Sequence, residues 1–333
     1  MLTRRAFLHL GATAVACAAF GGSLVGCSSS KSGSPVVIYS CLEGERNENL
    51  ITALRSDLPD IDVRLKYMST GNLAARLKLE GSRAECDIVL GVEAGYLMAA
   101  KDSLVPLSGE FDLSVFESDL LIHDAIMPMT RECGCFAHND EVLAGAGIDA
   151  PAGLDDLLDS RFAGLIAMPN PKASSTGYNF YYSMVNLLGE QGALFYFDEL
   201  ANNVYQFTSS GGAPASALTR GEAGLGLSLV FQLVSERNAG SPIDLDLFSE
   251  GVPWTMNGNA IVRGHEDRQE VWDVMRWIFD KGILLDKQKF VPDRVFKTQE
   301  THIEGYPETV TYANMDGLFD AERKERLLNA WKY

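Results

Sequence analysis

Apolar residues in this chain gather into short runs bounded by turn formers, and the runs alternate with stretches of helical period. Val36, Val37, Ile38 and Tyr39 form a continuous apolar run that reads as a strand buried on both faces. A helix is expected over residues 45–56, ending near Pro59. Residues 61–68 alternate apolar with polar and read as a second strand. Residues 71–79 place Leu73, Ala74 and Leu77 on one helical face, and Asp87-Ile88-Val89-Leu90 is a third buried strand. This βαβαβ opening predicts a parallel sheet with right-handed crossovers.

Further along the pattern is sparser. Residues 104–108 read as a strand or turn, and residues 128–138 as an extended crossing between two lobes. A short helix is expected over 153–159, a buried strand over 164–168, and two helices over 176–188 and 191–201. A Gly/Ser loop at 209–214 leads into a short helix ending near Arg220. Residues 225–230 and 260–262 are strand-like. Residues 267–279 form a strongly amphipathic helix, and 322–331 close the chain as a helix.

Before all of this stands an apolar, small-residue stretch over 6–26 with no acidic group, preceded by Arg4-Arg5 and closed by Leu24-Val25-Gly26-Cys27. It resembles a twin-arginine export signal ending in a lipobox. That implies cleavage before Cys27, a lipid on that cysteine, and a place on the outer face of the cytoplasmic membrane, at the cell surface or in the periplasm. Residues 28–34 suit a short polar tether. The stretch is also just long enough to span a bilayer, so a transmembrane anchor is the alternative.

Of the 333 residues, the roughly 307 that remain beyond the expected signal are too many for one ordinary core and suit two domains. An apolar content of 46% against 22% charged makes the chain globular rather than disordered. The formal charge of −17 argues against a nucleic-acid partner and fits a soluble monomer. Four cysteines remain beyond the signal and lipobox: Cys41, Cys86, Cys133 and Cys135. Buried free thiols, a strained Cys133–Cys135 disulfide, and a metal or catalytic role beside His138 are the open readings. Cys135 and His138 would point to opposite faces of an extended segment, poor geometry for a nucleophile and its base. No nucleophile elbow, phosphate-binding glycine loop or zinc-protease motif is present.

Three loops share one design, a Ser/Thr/Gly cluster directly before a helix. They are Ser69-Thr70-Gly71, Ser174-Ser175-Thr176-Gly177, and Ser209-Ser210-Gly211-Gly212. Free N–H groups and the helix dipole at such starts attract anions, while hydroxyls add donors and glycine admits close approach. The competing reading of each is a plain N-cap. Ser40, Cys41 and Gly91 end strands that point into the same region, with Tyr178 just inside the helix after the second loop. Glu93 reads as a helix-start acid. Trp254 and Glu250, on a loop, are further candidates, with core packing as the alternative for the tryptophan.

Several segments resemble, in order and spacing, the extracellular solute-binding proteins of ABC importers. The branch is the type II one, which includes binders of iron(III), thiamine, hexose phosphate and 2-aminoethylphosphonate. The matching segments are Val37-Ile38-Tyr39-Ser40, residues 84–91, Leu154-Asp155-Asp156-Leu157-Leu158, residues 162–171, residues 221–226, and Gly251-Val252-Pro253-Trp254 followed by residues 258–262. The resemblance implies a two-lobed α/β fold, each lobe a mainly parallel sheet flanked by helices, joined by a two-strand hinge. It implies no catalysis and no cofactor. The expected layout is a signal at 1–26, a lipidated cysteine and linker at 27–34, one lobe from 35–130 with 241–282, and the other from 131–240 with 283–333.

Carried onto this chain, the resemblance lines the cleft with Ser40, Ser69, Thr70, Gly71, Ser175, Thr176, Gly177, Ser210 and Gly211. Iron(III) binders of the group carry a tyrosine pair where this chain has Ser228-Leu229-Val230-Phe231. Hard Fe³⁺ requires phenolate or carboxylate oxygens, so a small phosphate- or phosphonate-type anion is the expected solute, handed to membrane permease subunits. Lys172 and Arg76 stand near the loops as candidate cations. The alternatives are a cation or metal held by Glu43, Glu93, Glu250 and Trp254, and an exported thiol enzyme using Cys135.

Overall fold

A computed structural model describes residues 33–333, so the expected export signal, Cys27 and most of the linker lie outside the described residues. Among the described residues no helix is long and apolar enough to cross a membrane.

The opening unit follows the hydrophobic pattern. Strand β1 (Val36–Ser40) leads through α1 (Gly44–Asp57) to β2 (Val63–Tyr67), then through α2 (Thr70–Glu80) to β3 (Ile88–Glu93). Both β2 and β3 pair with β1 in parallel. After a short helix α3 (Ala94–Ala99) and an irregular stretch, the thirteen-residue strand β4 (Met127–Asn139) begins, followed by α4 (Asp140–Ala146). Residues 104–108 form no strand beyond an isolated bridge from Leu104 to Val262.

The second half holds β5 (Ile166–Pro169), α5 (Ser175–Leu200), β6 (Val204–Thr208), α6 (Ala213–Thr219), β7 (Leu225–Leu229), α7 (Val230–Asn238) and β8 (Ile243–Asp246). The two helices expected over 176–201 are present, joined through Gly189, whose φ of 77° only glycine adopts readily. Strand β9 (Trp254–Ile261), helices α8 (Gln269–Trp277) and α9 (Ile283–Lys289), and the closing α10 (Ala321–Ala330) complete the chain.

The strand order is β2-β1-β3-β9-β4-β7-β5-β6, with β8 beside β4. Strand β4 belongs to both lobes. Met127 to Cys133 pair with β9, while Gly134 to His138 pair with β7 and Phe136 to Asn139 with β8. Separate apolar cores form on the two sides. Leu50, Ile88, Ile261 and Met275 belong to the first, and Phe162, Tyr181, Phe197 and Trp331 to the second.

Two expected boundaries shift. Strand β8 pairs with the second-lobe half of β4, whereas the sequence places residues 241–282 in the first lobe. Ile283 and Val295 pack into the first core, although 283 was expected to start the second-lobe return. The amphipathic face over 267–279 continues through a π-helical turn into α9, which carries the chain further along the first lobe before it crosses. The chain therefore crosses three times: in β4, between β8 and β9, and between α9 and α10.

Candidate functional site

The three hydroxyl and glycine loops open into one cleft of about 610 Å³. The first lobe contributes Cys41, Ser69, Thr70, Gly71 and Gly91, and the second contributes Ser175, Thr176, Tyr178, Ser210 and Gly211. Neither Ser69 nor Ser174, the residues preceding α2 and α5, uses its side chain to cap its helix. A plain N-cap would show that bond. Both helix starts line the cleft, with no serine side chain capping their first-turn N–H groups.

The second and third loops are held against each other. Ser228, fully buried on β7, donates 2.7 Å to the Gly211 carbonyl, and Thr208 donates 2.9 Å to the Ser210 carbonyl. A Cβ on Gly211 would collide with Thr176 Oγ1, so glycine is what lets the loops meet.

Four expected residues have other places. Ser40 is buried, donates 2.6 Å to Asn47 Oδ1 and accepts from the Leu42 N–H, a local side-chain bond that turns it away from the cleft. Gly177 packs α5 onto β5, where a Cβ would collide with the Pro169 carbonyl. Glu250 accepts 3.1 Å from the Leu154 N–H, away from the cleft. Trp254 donates 3.2 Å to the Ala313 carbonyl and lies under the Arg131 guanidinium, a packing role near the crossings. Of the candidate cations, Lys172 lines the cleft but its Nζ donates 2.8 Å to the Trp331 carbonyl, and Arg76 pairs with Glu80 and Glu85.

Glu43, Glu93, Tyr96, Glu132, Gln232, Asn257 and Lys324 also line the cleft. Each of these carboxylates faces a cation of the protein. Arg46, fully buried, reaches Glu43 at 3.1 Å, Glu132 at 3.2 Å and Asp286 at 2.8 Å. Burial, with the neighbouring Glu43 charge, pushes the Glu132 carboxyl up to about 7 against the pull of Arg46. Burial opposes the ionised Asp286, but Arg46 and Lys287 outweigh it and hold its carboxyl below the usual range. Lys287 Nζ bonds Thr130 at 2.5 Å, and burial brings its ammonium down to about 8. Glu93 caps α3 through the Gly95 N–H at 3.0 Å, as its position at a helix start suggests, and its Oε2 lies 3.6 Å from Lys324 Nζ.

Buried atoms without a hydrogen-bond partner include Glu93 Oε2, Tyr178 Oη and Gln232 Oε1, all on residues lining this cleft. Of these cleft residues Glu43, Glu93 and Tyr178 stand at strand ends or helix starts that the sequence marks, whereas Tyr96, Glu132, Gln232, Asn257 and Lys324 carry no local signal. Lys324 and Tyr96 meet through tertiary structure, from helices far apart in sequence.

The thiols are not organised for catalysis. Cys41, Cys86, Cys133 and Cys135 are all free. Burial pushes the Cys41 and Cys86 thiols up to about 12 and raises Cys133 and Cys135 as well, which keeps all four protonated. His138 pairs with Asp246 at 2.9 Å. Among the described residues no cluster of His, Cys, Asp or Glu is arranged to hold a metal ion.

Residues 122–285 match a family described as bacterial extracellular solute-binding protein. An uncharacterized protein of Haemophilus influenzae is 31% identical over 147 residues, a match that takes in 44% of this chain and 42% of that protein. The fold is that of solved periplasmic binding proteins. The fructose-6-phosphate-bound periplasmic binding protein AfuA from Actinobacillus pleuropneumoniae superposes with a TM-score of 0.79 at 20% identity, over 89% of this chain and 97% of that one. Iron-bound HitA from Pseudomonas aeruginosa gives a TM-score of 0.74 at 17% identity, over 90% of this chain and 99% of that one. Over residues 122–285 the chain thus matches the bacterial extracellular solute-binding family, it shares the two-lobed fold of the solved periplasmic binding proteins, and its match spans less than half the length of the curated relative.

Proposed function

We propose that this protein captures a small oxyanion of the phosphate or phosphonate class between its lobes and delivers it to the permease of an ABC importer. The observation carrying this reading is that α2 and α5, one from each lobe, start at a shared cleft with their preceding serines unused as caps. The three cleft carboxylates, Glu43, Glu93 and Glu132, are engaged by Arg46 and Lys324, and the helix starts and hydroxyls supply the donors for an anion. A ligand touching both lobes favours the closed arrangement, so binding and closure are one equilibrium. In this reading the protein is exported and held at the membrane by a lipid on Cys27.

The solved relatives hold different solutes, a sugar phosphate in one and iron in another. Ser228 and Phe231 stand where the iron-binding pattern has tyrosines, and burial raises the Tyr178 hydroxyl, against a phenolate ligand for Fe³⁺. Both points favour the phosphorylated class.

The test is a thermal-shift screen of the protein against inorganic phosphate, phosphonates, sugar phosphates, Fe³⁺ and amines. Stabilisation by phosphorylated or phosphonate compounds is expected, and Thr70→Val with Thr176→Val should weaken it. Stabilisation by Fe³⁺ or amines alone would overturn the reading. Unchanged affinity in the double variant would overturn the site assignment.

A further inference from the structure

We infer that the cleft holds a second seat, formed by Glu93, Tyr178 and Lys324, for a hydroxyl group of the solute. The inference deepens the oxyanion reading and rests on it. Glu93 and Tyr178 are 4% and 2% exposed, both line the cleft, and Glu93 Oε2 and Tyr178 Oη have no hydrogen-bond partner. A buried polar atom left unpaired costs about 1–3 kcal/mol, so two in one cleft call for a group that satisfies them.

The rest of the seat is fixed. Glu93 Oε1 accepts from the Gly95 N–H at 3.0 Å and from Thr255 Oγ1 at 3.2 Å, which holds the carboxylate in place and leaves Oε2 over. Lys324, on α10 of the opposite lobe, brings Nζ to 3.6 Å from Oε2, outside hydrogen-bond reach. The same ammonium lies 4.2 Å from the Tyr96 ring centroid and 4.7 Å from that of Tyr178. The protein's own lysine thus occupies the position between the rings that suits a cation.

That occupancy decides the chemistry. Glu93 and Lys324 cancel in charge, and a second cation would be repelled by Lys324 at close range. A second anion would be repelled by Glu93. A neutral hydroxyl meets neither objection. It can donate to Glu93 Oε2 while accepting from Tyr178 Oη or Lys324 Nζ. Tyr178 stands in the first turn of α5, the same turn as Ser175 and Thr176, so both seats are built on one helix start and open into one cleft. The solute class is therefore a small oxyanion ester bearing a hydroxyl close to the anionic group, such as a polyol or sugar phosphate.

The test is calorimetric titration of the full chain with inorganic phosphate, glycerol 1-phosphate, glucose 6-phosphate and phosphoethanolamine. One of the hydroxylated esters is expected to bind about tenfold tighter than both inorganic phosphate and phosphoethanolamine, the value of one good hydrogen bond. Tyr178→Phe and Glu93→Gln should each reduce the ratio of ester to phosphate affinity about fivefold or more. Glu93 also caps α3, so if Glu93→Gln does not fold, Tyr178→Phe decides, because its hydroxyl has no partner within the protein to lose. A ratio near one, a ratio unchanged by the substitutions, or a preference for phosphoethanolamine overturns the hydroxyl seat and leaves the oxyanion seat standing. Binding of none of the four overturns this inference, and the oxyanion reading falls with it if the phosphonates of the thermal-shift screen also fail to stabilise the protein.

Discussion

Ser228 Oγ donates a 2.7 Å hydrogen bond to the Gly211 carbonyl and so ties the third cleft loop to β7. The bond fixes the loop without involving the solute directly. Ser228→Ala should therefore weaken solute affinity about three- to tenfold and lower stability by about 1 kcal/mol, as expected for one buried hydrogen bond. Titration calorimetry and urea unfolding read the two effects separately.

Two glycines of the loops predict opposite outcomes. A Cβ on Gly177 would collide with the Pro169 backbone, whereas a Cβ on Gly71 meets nothing within 4 Å. Gly177→Ala should cost about 1–3 kcal/mol of stability through overpacking. Gly71→Ala should leave stability unchanged or slightly raised, because alanine favours the first helical turn, while reducing affinity by crowding the cleft. Equal stability losses in the two variants would contradict the packing described for α5.

Arg46 is the shared cation of Glu43, Glu132 and Asp286, and the whole guanidinium is buried. Replacing it leaves buried carboxylates without a counter-charge. Arg46→Met should destabilise the protein by about 3–5 kcal/mol, measured by urea unfolding. Adding Asp286→Asn to that variant should recover part of the loss, since it removes one of the uncompensated charges.

Glu132 makes stability depend on pH. Its carboxyl stands at about 7 in the folded protein against an ordinary 4.5. A group raised on folding contributes stability that is fully present below the unfolded value and is lost as pH rises through the folded one. Relative to Glu132→Gln, the wild-type protein should lose about a few degrees of Tm between pH 5 and pH 8. Anion affinity should fall over the same interval in the wild type more than in the variant, because a charge appears on the cleft wall. Parallel pH profiles for the two proteins would refute both.

The sequence made the βαβαβ opening legible because β1 and β3 are unbroken apolar runs and α2 carries Leu73 and Leu77 on one face. The cleft loops were legible because Ser, Thr and Gly before a helix have a local physical meaning. Strand β6 is absent from the sequence reading, since Tyr205 and Gln206 are both exposed and break its apolar signal. Strand β8, Ile-Asp-Leu-Asp, is short and half polar, and it owes its place to pairing with β4. Ser40 shows the limit of reading a strand end, because one bond to Asn47 turns the hydroxyl inward and leaves Cys41 at the cleft. Lys324 and Glu93 stand 231 positions apart in the numbering, and nothing in either neighbourhood announces the other.

The passage of β4 through both sheets constrains how the molecule opens. An unbroken pleated ribbon resists stretching and swivelling but yields readily to twist. The halves should accordingly move as a torsion spring rather than as beads on a thread, with departure along one angular coordinate.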